Sequence, residues 1–277
     1  MSEELVLEDR EISLKDKMKK EITTIRGLTL IISFTGLVFL ATSIFFIAIP
    51  TSEGFFNIGE VFVYLAALIG GPVTGSIAGG LGASMADLAL GYGYFAPGTF
   101  IIKAIEGFVV GLLYHYSLRI KKWIKILFIG IMCAFLIGFS SFLFNSDYEI
   151  GLALYNGTVF SSIIPGYSFL IISLVLSAIL ISVIVFLKEK GEMAISCVTG
   201  GAFIVVGYFF YETVILSQTF SKAVVEIPFN IAQVIFGAAI AIPIVSYLIE
   251  LGVLKSTSKP ETEKKDKLIE DSEEKLK

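Results

Sequence analysis

The chain reads as an all-α membrane protein, a polytopic helical bundle of eight spans, and three observations predict it. Its 277 residues are 55% hydrophobic and only 17% charged, against about 25% charged in soluble domains. Mean hydropathy is +0.84. Apolar runs long enough to cross a hydrocarbon core, which takes about 20 helical residues, recur between Gly, Pro and Lys/Arg punctuation. The net charge of -4 comes largely from balanced, solvated tails, so nothing in it suggests nucleic acid. The partner that composition implies is the lipid bilayer.

In chain order, residues 1–26 form a charged, partly helical leader. The run from Gly27 to Ser52 has no charge, is too long for a signal-peptide core and lacks an Ala-x-Ala cleavage site, so it predicts a retained span. Gly70, Gly71 and Pro72 break the next uncharged stretch as a helix end and a helix start do. They predict a short helix over 56–70 and another over 72–90. A loop over 91–98 follows, then a helix over 99–117 that Pro97 and Gly98 introduce. Two plainer spans, 123–144 and 168–187, are joined by a polar loop containing Tyr and Asn, and the last spans are 193–216 and 228–250.

Basic residues favour the cytoplasmic side. With a real turn at Gly70-Gly71-Pro72, every Lys and Arg except Lys103 and Lys222 falls on that side. A mere kink there would send the Arg119 to Lys125 cluster outward. The chain is therefore expected to be a multi-pass protein of the cell membrane with both termini cytoplasmic.

This topology brings ionisable and amide residues from separate helices to similar depth. Glu60, Asp87, Lys103, Glu106, Glu212, Asn230 and Gln233 all fall in the outer third of the bilayer. Within helices they share faces at i, i+3 or i+4, i+7: Asn57/Glu60/Tyr64, Thr99/Lys103/Glu106 and Glu226/Asn230/Gln233. Charges at such depth are costly and usually face a bundle interior or a cavity, so these faces describe a polar hollow that opens outward. Interhelical ion pairs that only hold the bundle together are the structural alternative. One lysine, however, cannot neutralise Glu60, Asp87, Glu106 and Glu212 together, and surplus carboxylates need water, protons or a ligand. Tyr92, Tyr94 and Phe95 are either interfacial belt residues or a cover for a planar ligand. His115 reads as a satisfied interfacial histidine.

Small residues at helix-packing spacing, Gly75/Gly79/Ala83, Gly107/Gly111 and Ala66/Gly70, let helices approach closely, either within this chain or against another membrane subunit. Cys133 and Cys197 sit in apolar runs with no metal-spaced neighbours, so neither a disulfide nor a metal site is expected. The chain has no Gly-Lys dipeptide, hence no P-loop, and a single histidine with no HExxH. It is not expected to be an enzyme or to carry a cofactor.

The motifs FNIGE, VYLAALIGGPVTGSIAGGLGASMADLALGYGYFAPGTFIIKAIEGFVVGLLY, GYFFYE and EIPFNIAQVIFGA resemble the substrate-binding S component of an energy-coupling factor (ECF) transporter, of the riboflavin-type group. The resemblance implies a six-helix core, here residues 27–117 and 191–250, with an inserted two-helix hairpin at 118–190 and a charged tail at 251–277. It implies an outward-facing site for a small water-soluble vitamin or precursor, lined by Asn57, Glu60, Tyr64, Asp87, Tyr92, Tyr94, Thr99, Lys103, Glu106, Tyr208, Glu212, Asn230 and Gln233. Lys103 would take an anionic group or bridge carboxylates. It also implies partners: a transmembrane T component and two ATPase subunits that drive uptake. The first helix lacks the clean Ala-x-x-x-Ala expected for docking on the T component, Gly36, Ala41 and Ser43 being its candidate substitutes. The rival reading is a proton-coupled secondary transporter of a small metabolite, with Glu60, Asp87 or Glu212 carrying the proton.

Overall fold

The computed structural model describes residues 15–49, 54–116, 130, 133–134, 137–138, 140–141, 145, 147–154, 157–186 and 191–254. Residues 1–14 of the leader, the Arg119 to Lys125 cluster, most of the expected 123–144 span, Lys188, Lys190 and the tail beyond 254 lie outside the described residues.

A helical stretch at 15–23 leads into α1 (Ile25–Ile44), α2 (Gly59–Gly70), α3 (Pro72–Leu90), α4 (Ala96–Tyr116), α5 (Tyr167–Phe186), α6 (Gly191–Phe210) and α7 (Phe220–Glu250). Among the described residues, α1, α3, α4, α6 with its extension to Ile215, and α7 are long and apolar enough to cross a membrane, and α2 is a shorter apolar helix. Large apolar side chains such as Ile25, Ile32, Leu88, Ile101, Val206 and Val214 are exposed on these helices. In water that surface would be an association hazard, whereas lipid accommodates it. The protein is a helical membrane protein.

Local chemistry sets the helix ends. The Thr24 hydroxyl accepts from the Gly27 N–H (3.1 Å) and caps α1. Gly71, at φ 102°, makes the turn between α2 and α3, with Pro72 at the first helical position. Gly91, at φ 89°, closes α3 while the Tyr92 N–H donates to the Asp87 carbonyl (2.8 Å). The small-residue patterns are spent inside the chain. A Cβ on Gly75 would lie 2.7 Å from the Gly107 carbonyl oxygen, and one on Gly79 would lie 2.9 Å from that of Lys103, so α3 and α4 touch backbone to backbone. The main core packs Tyr64, Leu68, Val110, Tyr114, Cys197, Ile242 and Val245 toward the end of the bundle where the 15–23 stretch lies. There the Glu21 carboxylate accepts from the N–H and hydroxyl of Thr74 (2.8 and 3.2 Å) at the start of α3. Ala41 and Ser43 of α1 are buried, so of the three expected docking substitutes only Gly36 has open space beside it.

Several expected boundaries need correction. The first span was expected to run to Ser52, but α1 stops at Ile44 and Phe46–Ile49 forms a strand, β1. β1 pairs antiparallel with β2 (Gly54–Asn57), so the expected second helix begins at Gly59 rather than 56. The expected polar loop between the two plainer spans is a pair of strands, β3 (Asp147–Leu154) and β4 (Gly157–Pro165). Together they form one antiparallel sheet in the order β2-β1-β3-β4. The aromatic and β-branched content of Phe46–Ile49 suits a strand, and apolarity alone does not separate it from the end of a span. The fourth helix starts at Ala96, carrying Pro97 in its first turn, and the last starts at Phe220 with Pro228 inside it. Proline is tolerated inside membrane helices, where neighbouring groups re-satisfy the freed carbonyl. The seventh expected span ends in a π-helical turn, Tyr211–Ile215.

Candidate functional site

Helix α2 is 12 residues, roughly 18 Å at 1.5 Å per residue, whereas its neighbour α3 is 19 residues, roughly 28 Å. Because the two are joined by a tight turn at one end, α2 falls short at the other, and a hollow is left above it. Its walls are Val38 and Thr42 of α1, Glu60 and Val63 of α2, Ala83 and Asp87 of α3, Thr99 and Lys103 of α4, Tyr208 of α6, and Glu226, Asn230 and Gln233 of α7. Gly54, Phe55 and Asn57 of β2, with Gly59 and Phe95, complete them. Counted out through its opening to solvent, the hollow holds about 520 Å³ of space.

Its polar groups form three linked sets. Lys103 Nζ donates to Glu60 Oε2 and to Glu106 Oε2, the latter at 3.3 Å, so the lysine bridges carboxylates from two helices. Asn57 Nδ2 donates to Gln233 Oε1 (2.9 Å), Gln233 Nε2 donates to Asn230 Oδ1 (3.3 Å), and Asn57 Oδ1 accepts from the Gly59 N–H (2.8 Å) at the start of α2. Asn57 thereby ties β2 to both α2 and α7. The Tyr208 hydroxyl donates to Thr99 Oγ1 (3.0 Å), and Thr99 in turn hydrogen-bonds Asp87.

Of the expected site residues, Asn57, Glu60, Asp87, Thr99, Lys103, Tyr208, Asn230 and Gln233 thus line one hollow. Tyr64, Glu106, Glu212, Tyr92 and Tyr94 do not. Tyr64 lies one turn below Glu60, fully buried, with its hydroxyl donating to the Cys197 carbonyl (3.2 Å). Glu106 is fully buried behind Lys103. Glu212 is carried by the π-helical turn and fully buried, interacting with the Glu226 carboxyl. Tyr92 and Tyr94 belong to a run of ring contacts at the rim: Phe46 to Phe55 (5.4 Å), Phe55 to Tyr92 (5.0 Å), Tyr92 to Tyr94 (6.5 Å) and Tyr94 to Phe95 (4.9 Å). Burial first, then the charges of Asp87 and Glu226, push the Tyr92 phenol above its usual value, which keeps it a neutral donor. His115 is far from the hollow, its Nε2 3.1 Å from the Leu68 carbonyl.

Thr42, Phe55 and Glu226 are lining residues that the candidate set omitted. Glu226 shares the i, i+4, i+7 face of Asn230 and Gln233, so its signal was present. Phe55 sits on a strand that no periodicity announced, and a threonine in an apolar run announces nothing.

A family model for the S component of the ECF-type riboflavin transporter matches residues 23–182. The chain belongs to that family. Such S components bind a small-molecule substrate and work with a T component and ATPases, and they are not an enzyme family. The match runs through much of the segment expected to be an insertion and stops before the GYFFYE motif. A Pyrococcus woesei protein described as an uncharacterized protein in a gap 3' region is 43% identical over 65 residues, 24% of this S component and 43% of that relative. The S component thus spans less than half the length of the curated relative it matches. No solved structure matches.

Proposed function

We propose that this S component captures a small, water-soluble vitamin or vitamin precursor in the hollow above α2 and delivers it for ATP-driven uptake by a T component and two ATPase subunits. The observation that carries the reading is the convergence of Asp87, Lys103, Tyr208, Asn230 and Gln233, from four separate helices, on one hollow. The basic 15–23 stretch sits by the start of α3 and the hollow by its end, so the preference of Lys and Arg for the cytoplasm turns the mouth outward. The ring contacts at the rim suit a planar, aromatic or heterocyclic solute.

Ligand binding to the purified chain in detergent or nanodiscs tests this. Asp87→Ala and Asn230→Ala should each weaken binding by about tenfold, the size of one lost hydrogen bond to a charged or well-placed partner. Unchanged affinity in both would sink the assignment. Proton-coupled transport is the second reading, favoured by the fully buried Glu106 and Glu212 carboxyls. It predicts uptake that collapses with an uncoupler while ATP persists, whereas the ATP-driven reading predicts the reverse.

A further inference from the structure

The lining of the hollow holds more carboxyl groups than basic ones. Glu60, Asp87 and Glu226 contribute carboxyls, against the ammonium of Lys103 as the only basic side chain among the lining residues. That ammonium is already shared between Glu60 and Glu106, which lies behind the wall. Two buried carboxylate oxygens beside the hollow are left over. Glu60 Oε1 and Asp87 Oδ2 have no hydrogen-bond partner among the described residues, although Glu60 is 1% exposed and Asp87 3%. Such oxygens, held out of water, are unfavourable unless a donor or a positive charge arrives to meet them. Phe55 and Phe95 supply aromatic surface to the same hollow, suited to a flat ring carrying positive charge.

From this we infer that the hollow selects a planar organic cation with at least two N–H donors, an amidinium or protonated amino-heterocycle, over neutral or anionic rings of the same outline. The inference rests on the hollow being the substrate site and names the charge class of that substrate. The donors meet Glu60 Oε1 and Asp87 Oδ2, and the ring lies against Phe55 and Phe95. Lys103 is a positioning residue here: by bridging Glu60 and Glu106 it holds Glu60 in place rather than receiving an anion.

The test uses benzamidinium, benzamide and benzoate, three probes of one planar shape and three charges, with riboflavin as a larger neutral probe. Protection of the full-length chain against thermal unfolding is read in nanodiscs over a concentration series. Benzamidinium should half-saturate at a concentration about tenfold below benzamide, as expected for exchanging a neutral for a charged hydrogen bond, and benzoate should not protect. Asp87→Asn, nearly identical in shape, should shrink the cation's advantage at least about threefold. If that variant does not fold, the order of the three probes on the native chain decides alone. Equal protection by benzamide, preference for benzoate, or protection by riboflavin but by none of the three small rings overturns the cation preference and leaves the substrate site standing. Failure of all four probes overturns the site assignment along with it.

Discussion

The two ends of the bundle handle buried polar groups in opposite ways. At the end bearing the 15–23 stretch, Glu21 is met twice by Thr74, His115 Nε2 meets the Leu68 carbonyl, and apart from the buried Ser246 hydroxyl the rest is mostly closely packed apolar core. At the other end Glu60 and Asp87 keep buried carboxylate oxygens without a hydrogen-bond partner among the described residues. Both ends belong to the same helices, so helix chemistry does not explain the contrast. It lies in α2, which is too short to fill the second end, and in acidic residues placed where no protein group completes them. One end is largely finished by the chain itself, and the other keeps the hollow proposed as the substrate site.

The sharpest way to break this contrast is to remove the ammonium that the open end does possess. Lys103→Met leaves Glu60 and Glu106 buried without their cation and should cost about 3–5 kcal/mol. Thermal unfolding would register it, and Lys103→Met combined with Glu60→Gln and Glu106→Gln should recover most of the loss. Next in size, Gly107→Val forces a side chain into the α3–α4 seam, where the Gly75 backbone leaves no room. About 1–3 kcal/mol of stability should go, with affinity falling only as far as the fold loosens. Gln233→Ala, which frees Asn57 from α7, should cost about 1 kcal/mol of ligand affinity and little stability, seen by comparing titrations with melting curves.

The smallest effect belongs to the finished end. Glu21→Ala should lower stability by about 1 kcal/mol, the scale of a lost helix cap, and leave ligand affinity untouched. Burial holds the Glu21 carboxyl above its ordinary value despite the bonds from Thr74, so the folded chain binds that proton more tightly than the unfolded one. Its contribution therefore declines as pH rises from the ordinary carboxylate range through the raised value. Glu21→Gln should flatten that slope in melting curves taken across pH, and an unchanged slope would show that another group sets it.

How far the sequence foretold this can be read at particular residues. Gly70-Gly71-Pro72 marked the α2–α3 turn because glycine at positive φ followed by proline has few other uses, and the depth of Asp87, Lys103 and Asn230 followed from counting residues along helices. Depth does not specify direction at fine grain. Tyr64 and Glu106 share helix faces with lining residues yet lie one turn below or behind them, closed off by Cys197 and Lys103. The joining of the two hairpins was invisible for a different reason: Phe46, Ile47 and Ala48 pair with Ala153, Leu152 and Gly151, partners about a hundred residues away that no local pattern reveals. Glu212 turns inward on a π-helical turn whose extra residue breaks the very periodicity used to find such faces.

That distant pairing ties the doorway to the segment expected as an insertion. Strand β2 supplies Gly54, Phe55 and Asn57 to the entrance, and through β1 it is laced to β3 and β4, the latter running into α5 by way of Pro165 and Gly166. Displacing β2 would break its four pairings with β1, break the three of β1 with β3, or carry the neighbouring strands along. The sheet thereby joins a strand that lines the hollow to the segment that leads into α5.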